Sequence, residues 1–130
     1  MSKVLLVDGD RVWSSFCEAE LRRDGHEVLI ARDGSEALEE FASRTPDVVV
    51  TEIRLAGIDG LDLMARILDR SPRTPVILHT THAAYRDNFM SWLADAYLLK
   101  SLDSAPLRTK VRELLIARGI GISNPSPASH

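Results

Sequence analysis

Four polar residues stand where short apolar runs stop. Asp8 follows Lys3-Val4-Leu5-Leu6-Val7, Glu52 lies at the end of Asp47-Val48-Val49-Val50-Thr51-Glu52-Ile53, Thr80 closes Pro75-Val76-Ile77-Leu78-His79-Thr80, and Lys100 follows Ala96-Tyr97-Leu98-Leu99. If those runs are parallel strands, a carboxylate pair, a hydroxyl and an ammonium converge on one pocket, because functional groups of an open parallel sheet gather beyond the carboxyl ends of its strands. Ion pairing is the first chemistry such a set offers, with Glu52 and Lys100 as a fixed bridge and Asp10 as a further acid beside Asp8. Taken singly, Thr80 and Lys100 read as a buried hydroxyl and a surface ammonium; only their joint position at strand ends makes them pocket members. His79 and His82 flank the same place, but two histidines without a carboxylate at ligand spacing read as ordinary strand-end residues. Cys17, the lone cysteine, has no CxxC or Cys/His set around it and reads as a small core residue. Trp13 is expected near the acidic pocket.

The elements that must hold these residues alternate along the chain. Residues 3–7 are an apolar run stopped by Asp8-Gly9-Asp10, which predicts a strand buried on both faces. Over 11–23 the apolar residues Val12/Trp13, Phe16/Cys17 and Leu21 recur at helical spacing, and Asp24-Gly25 is a natural stop. A strand over 26–31 leads to a turn and cap at Asp33-Gly34-Ser35, and a helix over 36–44 turns Ala37, Leu38 and Phe41 inward. Residues 47–53 are the most strand-like stretch, rich in β-branched side chains, and Gly57 and Gly60 punctuate the loop that follows. The pattern continues with a helix over 61–70, a strand over 75–80, a helix over 83–93, a short strand over 96–99 and a last helix over 107–118. Five β-α units predict an α/β, doubly wound (βα)5 sandwich of three layers, with a parallel sheet, right-handed crossovers and helices on both faces. Residues 1–118 form this domain, and 119–130, ending in Ser-Asn-Pro-Ser-Pro-Ala-Ser-His, are expected to be a flexible C-terminal tail.

Composition narrows the function classes. The chain has 130 residues, 45% of them apolar, and this is enough for one domain with its own core. The net charge is −3, and no block of Lys and Arg forms the footprint of a duplex-binding protein, so direct nucleic-acid binding is disfavoured. No apolar run approaches the roughly 20 residues that cross a bilayer, and acid arrives too early for a secretory signal. The expectation is a cytoplasmic protein without a membrane contact.

At the strand ends the sequence resembles the receiver domains of response regulators, the CheY-like family, from about Lys3 to Arg118. VLLVDGD resembles the family's first strand with its acidic pair, RDGSEALE the entry to the second helix, TPDVVVTEIRLAGIDGLDL the phosphoacceptor strand and loop, and PVILHTT with ADAYLLKSLD the last two strands. The resemblance implies a flavodoxin-like fold with strand order 2-1-3-4-5, in which Asp8 and Glu52 face each other. It also implies two-component signal transduction: acids after the first strand hold magnesium, an aspartate at the third strand takes a phosphoryl group from a histidine kinase, and a hydroxyl and a lysine contact that group. Thr80 and Lys100 match the last two positions, Tyr97 matches the aromatic residue whose rotation reports the switch, and Asp8 matches the first acid. The departures fall on the chemistry. Gly9 stands where the second acid is expected, with Asp10 one residue out of place; Glu52 replaces the phosphoacceptor aspartate, Ala56 a loop proline, and Ser101 the proline after the lysine. Losing a carboxylate weakens a site for so geometry-demanding a cation, and the extra methylene of Glu52 moves its carboxylate by more than an ångström, which costs in-line transfer roughly 100-fold.

The sequence therefore predicts a degenerate or pseudo-receiver: not an enzyme, with no cofactor and at most weak magnesium binding, acting by phosphorylation-independent contact with a protein partner such as a signalling protein or an output domain. A homodimer is compatible with the sequence and not demanded by it. The partner face is expected on the 83–93 helix, the last strand and the last helix, with Tyr85 and Trp92 as contact residues and Phe89 and Leu93 in the core. A sharper version holds that Glu52, reaching toward Thr80 and Lys100, leaves the domain permanently switched on as a partial phosphoryl mimic. Two rivals remain: a conventional, magnesium-dependent phosphoaccepting receiver with an altered site, and a flavodoxin-like mononucleotide binder. Asp8 and Asp10 argue against the second, since they repel a phosphate.

Overall fold

The computed structural model describes residues 2–119. The first strand, β1 (Lys3–Val7), and the third, β3 (Val48–Thr51), lie side by side, flanked by β2 (Glu27–Ala31) on one edge and by β4 (Val76–Thr80) and β5 (Ala96–Leu99) on the other. All four pairings are parallel, and the order is β2-β1-β3-β4-β5, as the resemblance implies. The helices α1 (Arg11–Arg23), α2 (Gly34–Arg44), α3 (Gly60–Arg70) and α4 (Ala105–Ala117) fill the crossovers. The strands alternate between two apolar layers, as period-2 side chains must. Val4, Leu6 and Val50 pack with Cys17 and Leu21 of α1 and with Leu107, Val111 and Leu115 of α4. Leu5, Val7 and Val49 pack on the opposite face with Phe41 of α2 and Leu63, Met64 and Ile67 of α3.

Carboxylates set where the helices begin. Asp10 accepts from the Val12 and Trp13 amides, Asp33 from Glu36 and Asp59 from Asp62, so three of the four helices open on an aspartate cap that satisfies otherwise orphaned donors. The starts of three helices lie within two residues of the periodicity-based limits: α2 begins at Gly34 and α3 at Gly60, each behind its aspartate, and α4 at Ala105, with no side-chain cap.

The helix expected over 83–93 is not there. Two 3-10 turns, Ala83–Asp87 and Phe89–Leu93, replace it, with extended Asn88 between them. Asn88 takes the Met90 amide on its own side chain at 2.9 Å, and the Ser91 hydroxyl donates to the Tyr85 carbonyl at 2.7 Å. Asp, Asn and Ser compete for backbone groups in just this way, and here they win over α-helical bonding. In a 3-10 turn residues three apart eclipse, so Phe89 and Trp92 share one face, and that face points outward. Phe89 (70% exposed), Trp92 (76%) and Leu93 (55%) are therefore surface groups, which corrects the expectation that Phe89 and Leu93 belong to the core. Tyr85 and Met90 turn inward instead.

Gly60 ties α3 to the end of β3. Its amide donates to the Ile53 carbonyl at 2.7 Å, and a Cβ there would lie 2.1 Å from the Glu52 carbonyl oxygen, a backbone atom that cannot swing aside. Gly60→Ala is expected to lower unfolding stability by roughly 1–3 kcal/mol through this overpacking. A urea midpoint unchanged from the parent would contradict the close approach.

Candidate functional site

Parallel register delivers the pocket. Val7 pairs with Thr51, so Asp8 and Glu52 are the next residues on neighbouring strands; the Glu52 amide donates to the Val7 carbonyl at 2.9 Å and the Asp8 amide to the Ala31 carbonyl at 3.0 Å. Thr80 pairs with Leu99 on the other side, and the Lys100 amide donates to the Thr80 carbonyl at 2.8 Å. Asp8, Glu52, Thr80 and Lys100 thus meet at one end of the sheet, as their places in the sequence imply.

Lys100 spans the two acids. Its Nζ lies 2.7 Å from Asp8 Oδ2 and 2.8 Å from Glu52 Oε1, with the three side chains 3%, 5% and 8% exposed. The lysine is therefore a buried ammonium, which corrects its reading as a surface group when taken alone. The other oxygens are also engaged: Asp8 Oδ1 accepts the Asp10 amide at 2.9 Å, and Glu52 Oε2 accepts the Ile53 amide at 2.6 Å and the Arg54 amide at 3.3 Å. Burial by itself opposes charge on each group. For Glu52 the hydrogen bonds from Lys100 and Thr80, the ammonium's charge and the Ile53 amide prevail and hold the carboxyl below its usual 4.5. For Lys100 the two carboxylates prevail over burial and hold the ammonium above its usual 10.5. The Glu52–Lys100 pair is charged across this whole interval.

Asp10 is not part of it. Its carboxylate caps α1 and the residue is exposed, so of the acidic pair expected at the pocket only Asp8 enters. Among the described residues, no group of three or more His, Cys, Asp or Glu side chains is arranged to hold a metal ion.

The surroundings of Lys100 are aromatic. Its Nζ lies 5.5 Å from the centroid of the Trp13 ring, so Trp13 does sit at the pocket, and His79 packs edge-on against that ring at 6.4 Å. His79 is 5% exposed, and burial, aided by the Lys100 charge and opposed by Glu52, lowers its pKa to about 4. Cys17 is buried in the α1 layer, where burial and then Asp8 push its thiol up to about 11, in keeping with a core residue. On the far side of Thr80, the His82 amide donates to the Thr80 hydroxyl at 3.2 Å, and the Tyr97 hydroxyl donates to the His82 carbonyl. Arg86 stands over the Tyr97 ring at 5.3 Å. Tyr85 is half-buried and accepts from Arg54 Nε at 3.2 Å, so of the two expected contact residues only Trp92 is freely presented. The pairings of Arg54 with Tyr85 and Arg86 with Tyr97 have no signature in the sequence, because exposed arginines at arbitrary spacing carry none.

Comparison with known proteins agrees with this geometry. The family described as Response regulator receiver domain matches residues 4–112, and the chain belongs to it. The transcriptional regulatory protein TrcR of Mycobacterium tuberculosis is 31% identical over 115 residues, covering 87% of this chain and 45% of TrcR. CseB of Streptomyces coelicolor is 35% identical over 114 residues, covering 86% of this chain and 48% of CseB. The chain spans about half the length of these curated relatives. Among solved structures, response regulator protein TrrA from Thermotoga maritima in complex with magnesium and BeF has a TM-score of 0.86 at 35% identity, over 88% of this chain and all 100% of that one. A complex of histidine kinase ThkA with TrrA matches at 0.83 and 35%, over 88% of this chain and 99% of that one. The fold and the place in two-component signalling are thereby established. No helix among the described residues is long and apolar enough to cross a membrane.

Two outcomes test the electrostatics. Lys100→Met leaves two buried carboxylates uncompensated and is expected to cost about 3–5 kcal/mol of unfolding free energy; a loss below about 1 kcal/mol would mean that the bridge is solvated. His79 supplies a pH test. The unfolded imidazole takes a proton near 6.5, whereas the folded one refuses it until about 4, so unfolding binds a proton in that window and stability falls as the pH drops through it. The full window is worth roughly 3 kcal/mol. His26, also lowered by burial, acts in the same direction, so the difference between the parent and His79→Gln isolates the site. Equal urea midpoint slopes for the two proteins between about pH 7 and about pH 5 would remove His79 as the cause.

Proposed function

We propose that this receiver domain acts as a protein-binding module held in one state, without phosphotransfer, and that it is not an enzyme. One observation carries the reading: the ammonium of Lys100 joins Asp8 and Glu52 into a buried bridge. Phosphoryl transfer to the residue after β3 needs a carboxylate free to attack in line and a cation to neutralise the incoming charge. Glu52 has one oxygen on Lys100 and the other on two backbone amides, so attack must break a buried ion pair.

Nor does the donor set fit the magnesium ion that the family implies. Asp8 is shared between Lys100 and an amide, Asp10 is spent on the α1 cap, and position 9 has no side chain. A Cβ at Gly9 would approach the Arg32 carbonyl oxygen to 3.3 Å, so even an acid restored there needs a small shift of backbone. Magnesium is held through one or two carboxylates, with waters completing its octahedron, and here every oxygen of Asp8 and Glu52 is already engaged by Lys100 or a backbone amide. No step of the function is routed through it.

A second observation supports the single-state reading. Tyr97, at the family's switching position, packs against the core layer with its hydroxyl on the His82 carbonyl and Arg86 over its face. Through His82 it connects to Thr80, and through Lys100 to Glu52. Glu52 thus supplies one charge and two oxygens where a phosphoryl group would supply up to two charges and three oxygens, and the connection to Tyr97 is already made. For the surface that meets a partner, the 3-10 segment Phe89–Leu93 next to β5 is the best supported, because Phe89, Trp92 and Leu93 are exposed together. A kinase, an output domain or another signalling protein is the class of partner. The ThkA–TrrA complex, of a receiver with the same fold, makes a protein contact the natural assignment.

The test is incubation with acetyl phosphate and magnesium, followed by intact-mass measurement under acidic conditions. No gain of a phosphoryl group is expected at a time when a conventional receiver is fully modified. A stable gain, mapped to Glu52 or to any other carboxylate of the pocket, would overturn the reading and restore the phosphoaccepting alternative.

A further inference from the structure

We infer that Trp13 is the positioning residue that holds the Lys100 ammonium in its bridge and closes the acidic cleft to divalent cations. The inference rests on the reading of that cleft as a closed bridge, and it assigns the closing to a residue outside the charged set.

The indole faces the ammonium. Lys100 Nζ stands over the Trp13 ring, 5.5 Å from its centroid, within the roughly 6 Å over which the negative face of an aromatic ring attracts a cation. Trp is the strongest of the ring partners, and the attraction grows when the cation is out of water; the Lys100 side chain is 3% exposed. Two carboxylates and one ring face thus define the position of the ammonium.

The ring is itself fixed. His79 meets it edge-on at 6.4 Å and 89°, and Phe16 meets it at 6.2 Å and 81°. Its backbone is fixed as well, because Trp13 lies in the first turn of α1, where Asp10 accepts its amide at 3.4 Å and the Val12 amide at 2.9 Å. Val12 turns to solvent at 77% exposure, whereas Trp13 turns to the cleft and is half-buried. The acid displaced by one residue from the metal position therefore anchors the turn that carries the cover. To reach Asp8 Oδ2, a divalent cation must displace an ammonium that the ring retains.

The experiment uses the full chain and the substitutions Trp13→Leu and Trp13→Phe. Leu keeps apolar volume against His79 and Phe16 without a ring face; Phe keeps the ring face. One readout is the rate at which an N-hydroxysuccinimide acetate ester acetylates Lys100, scored by peptide mapping against Lys3 and Lys110, which are the other two lysines. The second is binding of Mn2+ alone, followed by water proton relaxation. Far-UV circular dichroism checks the fold, and Trp13→Met gives a second ring-free variant if the Leu protein does not fold. In the ring-free variant Lys100 is expected to react about tenfold faster relative to the two control lysines, with a gain in Mn2+ affinity of similar size, whereas the Phe variant stays within about threefold of the parent. Leu and Phe variants that behave alike, whether both like the parent or both opened equally, would overturn the inference. So would a parent protein that binds Mn2+ as tightly as the ring-free variant. The two readings fail separately: a phosphoryl gain on the parent removes the proposed function, while the contrast between Leu and Phe at Lys100 reports on Trp13 alone.

Discussion

The ammonium of Lys100, shared at 2.7 and 2.8 Å by two buried carboxylates, is the constraint around which this end of the domain is organised. Three charges removed from water are costly unless each is paired and its remaining lone pairs are satisfied. Here the backbone completes the satisfaction: the amides of Asp10, Ile53 and Arg54 turn toward the carboxylates, and the loops after β1 and β3 adopt the shapes this requires. The strand order then has a consequence beyond topology. With β1 next to β3, and β5 one strand away across β4, the three charges meet and compensate one another.

The same balance between side chains and backbone decides the two regions where this chain departs from a plain (βα)5 pattern. At the start of α1, Asp10 spends its carboxylate on the helix amides and so does not enter the pocket. At residues 83–93, Asn88 and Ser91 bond to the backbone locally, and an expected α-helix becomes two tighter turns with large apolar groups on the outside. In both places a short polar side chain outbids a longer-range arrangement. One result is a pocket with fewer ligands for a cation. The other is a surface with more to offer a protein.

Much of the architecture was legible in the residues. Five apolar, β-branched runs separated by helical periodicity allow few solutions other than a parallel sheet covered on both faces, and Asp8, Glu52, Thr80 and Lys100 at the ends of those runs had to converge once the order was known. The bridge between Glu52 and Lys100 was legible too, as a matter of charge and reach. Its third member was less so, because a sequence does not say whether Asp8 or Asp10 points inward. Nor does apolar content say which side of a turn is wet: Phe89, Trp92 and Leu93 have the composition of a core and the positions of a surface.

What the sequence determined by itself, then, is what depends on short range and on pattern: the elements, their parallel stacking, and which residue types stand at the strand ends. Tertiary structure alone decided the remaining partnerships, namely Asp8 as the second acid on Lys100, the indole of Trp13 against the ammonium, Asp10 on a cap, and the helix at 83–93 undone. The physical reason is that periodicity fixes which face of an element is apolar. Ion pairs and hydrogen bonds, by contrast, are settled by competition among all the partners that folding brings within about 3 Å, and that competition is not written in any local stretch of chain.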